Sequence, residues 1–366
     1  MVRDFGFGIE EEHQIVDPGS GELRSENERL LPLTQAVLGR WVQPELYQAQ
    51  IETATVICRT LEDARRDLVR LRGVLLRTAG SIGVGIATAG SHPFSDWRGQ
   101  QVTRKARYQR LLCDYQQIAR EQVLFGCHVH VGIRDPEAVI QTMNRARAWL
   151  PTMLALAANS PFWIGADTGY ASYRVQVWRR WPTAGIPPVL GCRAEYDALV
   201  EELVSTGTVR DATKMYWDVR PSARYPTIEF RVTDACTTVD EALMVAGLYR
   251  ALARTCCDEA RRDDPPVLPS ATLLAACKWQ AARFGLDGRL VDPRTGEIVP
   301  VPEMARRLLA YVRSALEDEG DWEEVCELVK RVLTEGNGAV RQRRALRRTG
   351  GFAAVMQAIA TTTALG

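Results

Sequence analysis

An excess of charge of either sign is missing from this chain: lysine and arginine number 46 against 45 aspartates and glutamates. No global field therefore draws it toward nucleic acid or an anionic membrane, and a small molecule is the expected partner. A long apolar run is also missing. The most apolar stretch, Gly73 to Gly90, is glycine-rich and interrupted by Arg77, short of the roughly 20 apolar residues that a membrane helix needs. It reads as a helix end followed by a buried strand. The nine cysteines contain no CxxC pair, which argues against a disulfide scaffold and for a reduced, cytoplasmic setting. Glu10, Glu11 and Glu12 fall where a secretory leader needs its apolar core, so secretion is not indicated. No GxxxxGK[ST] loop occurs either; strand packing accounts for Gly83, Gly85 and Gly90 in SIGVGIATAG at Ser81–Gly90.

What is present is 366 residues, 46% hydrophobic and 25% charged, enough for one broad domain over residues 1–366 with a large core. Strands and helices alternate. Phe5, Phe7 and Ile9 point one way while Glu10, Glu12 and Gln14 point the other, the period of a half-buried strand. VDPGSGEL at Val16–Leu23 is turn chemistry and predicts a hairpin, and VDPRTGEI at Val291–Ile298 repeats it. A second strand carries Gln48, Gln50 and Glu52 on one face. Thr60 with Asp63 forms a capping box before the stripe Leu61, Ala64, Leu68, Leu71 and Leu75. Helices are expected near Val102–Arg120 and Pro136–Asn159, and between them LFGCHVHVGI puts His128 and His130 together on a polar strand face. PTIEFRVTD does the same with Glu229 and Arg231. Residues 161–226, rich in aromatics, arginine and proline, read as a partly irregular lid or substrate loop. Helices dominate from Val239 onward.

Four strands thus share one design: an apolar face and an opposite face bearing ligand-type groups. A solvated sheet face would favour lysine, threonine and serine. If these strands are neighbours, the crowded carboxylates need protons or metal ions to neutralise them. Several glutamates with one or two histidines make a mostly hard oxygen environment, suited to magnesium or manganese better than zinc. Magnesium serves phosphate substrates, and Arg231 is placed to hold a transferring phosphoryl group. Two rival readings remain open at this point. One is a metal-dependent hydrolase built on His128 and His130, which predicts bound zinc and no need for ATP. The other is a noncatalytic ATP-binding sensor.

The motifs GIEEE (Gly8–Glu12), QAQIETAT (Gln48–Thr55), GCHVHVG (Gly126–Gly132), ANSPFW (Ala158–Trp163), DTGYASYR (Asp167–Arg174), WDVRPSARYPTIEFRVTD (Trp217–Asp234) and GNGAVRQRRAL (Gly336–Leu346) follow in order along nearly the whole chain. Together they resemble the carboxylate–amine ligase branch of the glutamate–cysteine ligase type 2 family. The resemblance implies an α+β, glutamine synthetase-like catalytic fold, with a curved, mainly antiparallel sheet forming a funnel backed by helices. It implies ATP-dependent amide formation through an acyl phosphate, with ATP and Mg2+ (or Mn2+) as cofactors and a small carboxylate and amine, glutamate and cysteine being the reference pair. By the same resemblance Glu10, Glu12, Glu52, His128 and Glu229 are metal ligands, and Arg231 contacts the transferred group. His130 is expected to contact nucleotide or orient a carboxylate. Arg174 and Arg220 are candidate carboxylate clamps, each equally open to being a structural ion pair. Arg341, with Arg343 and Arg344, is a candidate for ATP phosphates, although such a run is usually a solvated helix face. Trp178, Trp181 and Trp217 are pocket walls or core. His13 falls on the core-facing side and is read as structural. A homodimer is implied by the family alone.

Overall fold

A computed structural model describes residues 5–365; residues 1–4, part of the segment read above as no leader, and Gly366 lie outside the described residues. The strands are β1 (Phe7–Val16), β2 (Val42–Pro44), β3 (Gln50–Ala54), β4 (Gly85–Ala87), β5 (Cys127–Gly132), β6 (Phe162–Trp163), β7 (Ala166–Asp167), β8 (Val219–Pro221), β9 (Thr227–Phe230), β10 (Arg289–Val291) and β11 (Ile298–Pro300). Seven of them form one open antiparallel sheet in the order β2-β3-β1-β5-β9-β8, with β4 also on β1. The remaining four make two small hairpins, β6-β7 and β10-β11. This is the α+β, glutamine synthetase-like architecture that the motifs imply.

Strand β1 organises the sheet. One edge pairs with β3 from Glu10 to Gln14, while the other is shared, β5 taking Phe7–Glu11 and β4 taking Gln14–Val16. Both edges are thus filled, and the turn after Val16 has no room to return as a strand. The expected hairpin shrinks to a single bridge, Val16 to Leu23, and the chain enters a helix, Asn27–Leu38. The second turn of the same chemistry does close a hairpin, β10-β11.

The odd residues of β1 face the helices. Phe7 and Ile9 are buried in the main core, as are Val129, Val131, Ile228 and Phe230 from β5 and β9. Helices Leu61–Ser81, Pro136–Ala146 and Val239–Arg261 cover this face, with Phe230 stacked on Tyr249 at 4.3 Å between ring centres. Glu11 also points into this layer, where Arg72 holds it by two hydrogen bonds of 3.0 and 2.6 Å and donates two more to the carbonyls of Cys236 and Thr237. Breaking such a buried, hydrogen-bonded pair costs about 3–5 kcal/mol. His13 is buried beside it with both ring nitrogens on threonine hydroxyls, Thr88 at 2.8 Å and Thr53 at 3.1 Å, the structural role read from its place on the strand.

The capping box at Thr60 and Asp63 forms as expected and opens helix Leu61–Ser81. Two expected helices are divided. Gln116, at φ 47°, separates Ala106–Tyr115 from Gln117–Arg120. Pro151 has no N–H to continue the ladder, and a 3-10 turn, Arg147–Trp149, separates Pro136–Ala146 from Leu150–Leu156. Residues 161–226 contain β6, β7, β8 and helices Arg174–Trp178 and Arg193–Ser205 within irregular chain. Among the described residues no helix is long and apolar enough to cross a membrane.

Candidate active site

On the face away from the helices, the register sets polar residues opposite one another. Glu10 faces His128, His130 faces Glu229, Glu12 faces Glu52, and Arg220 faces Glu229. Two triads result, Glu10 with His128 and Glu229, and Glu12 with Glu45 and Glu52. Within each, one ligand atom per residue lies within 4.8 Å of the others. Glu10 and Glu12 are two residues apart on the same strand face, so the triads are neighbours.

Glu45 was absent from the sequence reading. It follows the three-residue edge strand β2, and the short return into β3 sets it beside Glu52. The available signal was a carboxylate a few residues before a strand already carrying Glu52. Arg107 was missed as well; its charge bears on both Glu45 and Glu52.

Electrostatics separates the triads. Burial and then the neighbouring Glu45 push the Glu12 carboxyl up to about 7. Burial, followed by Glu10, Glu45 and Glu12, drives Glu52 well above the usual range, and burial raises Glu45 too. In the other triad burial is outweighed. Glu10 is held low by the charge of His130 and by contacts with both histidines, at 3.6 Å from His128 and 3.4 Å from His130. Glu229 is held well below the usual range by Arg231 and Arg220 despite its burial. His128 is lowered to about 4 by burial and then by Arg231, so its imidazole is neutral and able to ligate.

The donor set fits a hard divalent cation on two observations. Three carboxylates that resist ionising together are relieved by a shared cation. The buried Nε2 atom of His128 has no hydrogen-bond partner among the described residues, a state that buried polar atoms seldom keep without an ion or water. His130 is oriented by Thr227, whose hydroxyl lies 3.0 Å from Nδ1.

The arginines divide by role. Arg231 contacts Glu229 and places its guanidinium 5.6 Å from the Trp178 ring centre, leaving a buried Nε unpartnered. Its backbone N–H donates to the carbonyl of Asp218 at 2.8 Å, and Asp218 is anchored in turn by Lys278. Arg174 lies over the same tryptophan at 5.8 Å, also with a buried, unpartnered Nε. Arg220 spends its guanidinium on both oxygens of Glu229, at 2.9 and 3.2 Å, and on the carbonyls of Thr213 and Met215. Arg341 stands apart from these groups, bonded to Glu241 at 2.6 Å and to the Gly336 carbonyl. Arg343 pairs with Asp167, and Arg344 donates to the Glu335 carbonyl. Trp181 and Trp217 are buried.

Several other motif residues hold the site's frame. Asp234, just beyond β9, accepts hydrogen bonds from the Asn159 N–H and from the hydroxyls of Ser160 and Ser172 at 2.7–2.9 Å. Gln342 donates to Asn159. Gly90 packs so closely on Asp234 that a Cβ would lie 2.6 Å from its Cγ. The glycine therefore serves close packing.

Paired acidic triads with Arg231 on Glu229, set on an open antiparallel sheet backed by helices, accord with the class that family membership gives: an ATP-dependent ligase. The chain belongs to the family described as Glutamate-cysteine ligase family 2 (GCS2), which matches residues 6–358. A Mycolicibacterium smegmatis protein provisionally named glutamate–cysteine ligase 2-2 is 42% identical over 341 residues, covering 93% of this chain and 85% of its own. A Rhodopirellula baltica protein provisionally named glutamate–cysteine ligase 2 is 40% identical, covering 92% of each chain. Among solved structures, glutamate–cysteine ligase of Francisella tularensis in complex with AMP superposes with a TM-score of 0.74 at 13% identity, over 99% of this chain and 90% of that one. A bifunctional glutathione synthetase of Pasteurella multocida gives 0.73 at 17% identity, over 99% of this chain and 52% of that one. At such identities these likenesses bear on the fold.

Proposed function

We propose that this enzyme joins a small carboxylic acid to an amine at the expense of ATP, by way of an acyl phosphate, with glutamate and cysteine as the first pair to consider. The observation that carries this reading is the pair of adjacent triads on one sheet face with Arg231 beside them. Glu10, His128 and Glu229 would hold one magnesium ion, and Glu12, Glu45 and Glu52 another, manganese being the alternative. Bound there, the ions would neutralise phosphate oxygens and shield the charge that develops on the transferring group.

The chain's own groups do the rest. Arg231 extends its unpartnered Nε toward the transferring phosphoryl, where a fixed cation in a buried site is most effective. The substrate carboxylate oxygen attacks the γ-phosphorus and ADP leaves. The amine nitrogen then attacks the acyl carbon, losing a proton as phosphate departs. Arg174 is the better candidate to orient the acid, since its Nε is unengaged whereas Arg220 is committed to Glu229. For Arg220 we favour the ion-pair role. Residues 161–226, fastened at their base through Ser160 and Ser172 to Asp234, would act as the lid of a single catalytic domain and keep water from the acyl phosphate. A cytoplasmic homodimer is the setting that the family implies.

The deciding assay follows ADP and phosphate release with magnesium across a matrix of acids and amines, with mass spectrometry of products. Release requiring both partners, with an amide product, is expected. Arg231→Ala should lower turnover by about 10²–10³-fold while staying folded, because Arg220 still pairs Glu229. Magnesium–ATP binding without turnover on any pair would favour a sensor, and no ATP binding would sink the ligase reading.

A further inference from the structure

Two neighbouring cavities of about 260 and 230 Å³ share Ala148, Val267 and Pro293 as walls, and none of their lining comes from the seven-stranded sheet. Their walls are instead helix residues, the irregular segment 264–269 and the β10-β11 hairpin. Together they have the size of a small-molecule pocket, about 300–1,000 Å³.

The larger cavity is charged. Arg145, 7% exposed, gives Nη1 to Gln141 and Nη2 to the backbone carbonyl of Asp264 at 2.7 Å. Its Nε is buried without a hydrogen-bond partner, 4.0 Å from Glu259. Arg294 lies over the Tyr311 ring at 5.5 Å, and no ion pair among the described residues engages it. Glu259 accepts the Tyr311 hydroxyl on one oxygen, at 2.7 Å, and among the described residues no side-chain hydrogen bond reaches its other oxygen. The Asp264 carboxylate is taken up by Arg262. The chamber thus offers two guanidinium groups with spare N–H donors beside one carboxylate oxygen. Its smaller neighbour is apolar, walled by Leu273, Leu274, Leu290 and Val291.

We infer that these cavities bind a free α-amino acid with an apolar side chain, its carboxylate between Arg145 and Arg294, its ammonium on Glu259 and its side chain in the apolar chamber. A plain anion would bring no donor to the open oxygen of Glu259. A plain amine would leave both guanidinium groups unanswered. A zwitterion satisfies all three, and burying a leucine-sized side chain contributes about 1.5–3 kcal/mol.

The test is calorimetric titration with L-leucine, isocaproate (no ammonium) and isopentylamine (no carboxylate). The proteins are the native enzyme, Arg294→Ala, Ala148→Leu and Arg231→Ala. Arg294 is exposed on the hairpin, so its removal leaves the fold intact, and Ala148→Leu adds bulk at a wall that both cavities share. Saturable leucine binding is expected, weaker by about tenfold or more for each truncated analogue and in both pocket variants, and unchanged in Arg231→Ala. Absence of saturable leucine binding would overturn the proposal. So would equal binding of isocaproate, or leucine binding that survives the pocket variants and is lost in Arg231→Ala, which would put the amino acid at the ligase site.

Discussion

Glu45 reaches the second triad from the end of an edge strand only three residues long. Its carboxyl is raised mainly by burial, and its charge in turn raises Glu12 and Glu52. Glu45→Gln removes one repulsive charge and one donor together. The expected outcome is turnover that needs about tenfold more magnesium, with a thermal midpoint unchanged or higher when magnesium is absent. Activity measured against magnesium concentration, alongside a melting curve in chelator, checks both halves. Unaltered magnesium dependence would remove Glu45 from the site. The other glutamates were legible because each sits on the polar face of a clear two-residue alternation. Glu45 follows Pro44 outside any alternation, so nothing local marks its direction.

At the scale of elements, β5 begins where Gly126 is clasped by β1. Its N–H donates to Glu12 at 2.6 Å, and its carbonyl accepts from the Glu12 N–H at 3.1 Å. A Cβ there would lie 2.4 Å from Nη2 of Arg174 and 2.7 Å from Nε2 of His128. Gly126→Ala should therefore displace both side chains, costing about 1–3 kcal/mol of stability and lowering turnover by more than that loss of folded protein explains. Steady-state rates and a denaturation curve on one preparation separate the effects; a fully active variant would mean that the site tolerates the shift. Strands β1, β3, β5 and β9 were readable because a half-buried sheet imposes alternation. The three-residue strands β2 and β8 are too short to display it. Helix Asn27–Leu38 escaped notice because Asn27 and Thr34 share its buried side with Leu30 and Leu38, and Pro32 sits inside it.

For the whole molecule, the raised carboxyls of Glu12, Glu45 and Glu52 tie stability to pH. A carboxyl raised by folding holds a proton that the unfolded chain would release. The stability it contributes is present below the ordinary carboxylate range and is lost as pH rises, through about 7 for Glu12. A bound divalent cation displaces those protons. Magnesium should accordingly raise the melting temperature more at pH 8 than at pH 6, as differential scanning fluorimetry with and without chelator would record. An equal shift at both would mean that protons and metal do not compete. The global plan was legible because its motifs span the chain, whereas the second layer of cavities depends on helix packing that leaves no local pattern. The shared edge of β1 carries a last consequence for biosynthesis. Its partners arrive with β3, β4 and β5, and the first triad is complete only when β9 has been made. At about 5–20 residues per second on the ribosome, β1 waits roughly 10–40 s for that moment. In the later part of that interval Glu10 and His128 stand paired across β1 and β5 without their third partner, Glu229.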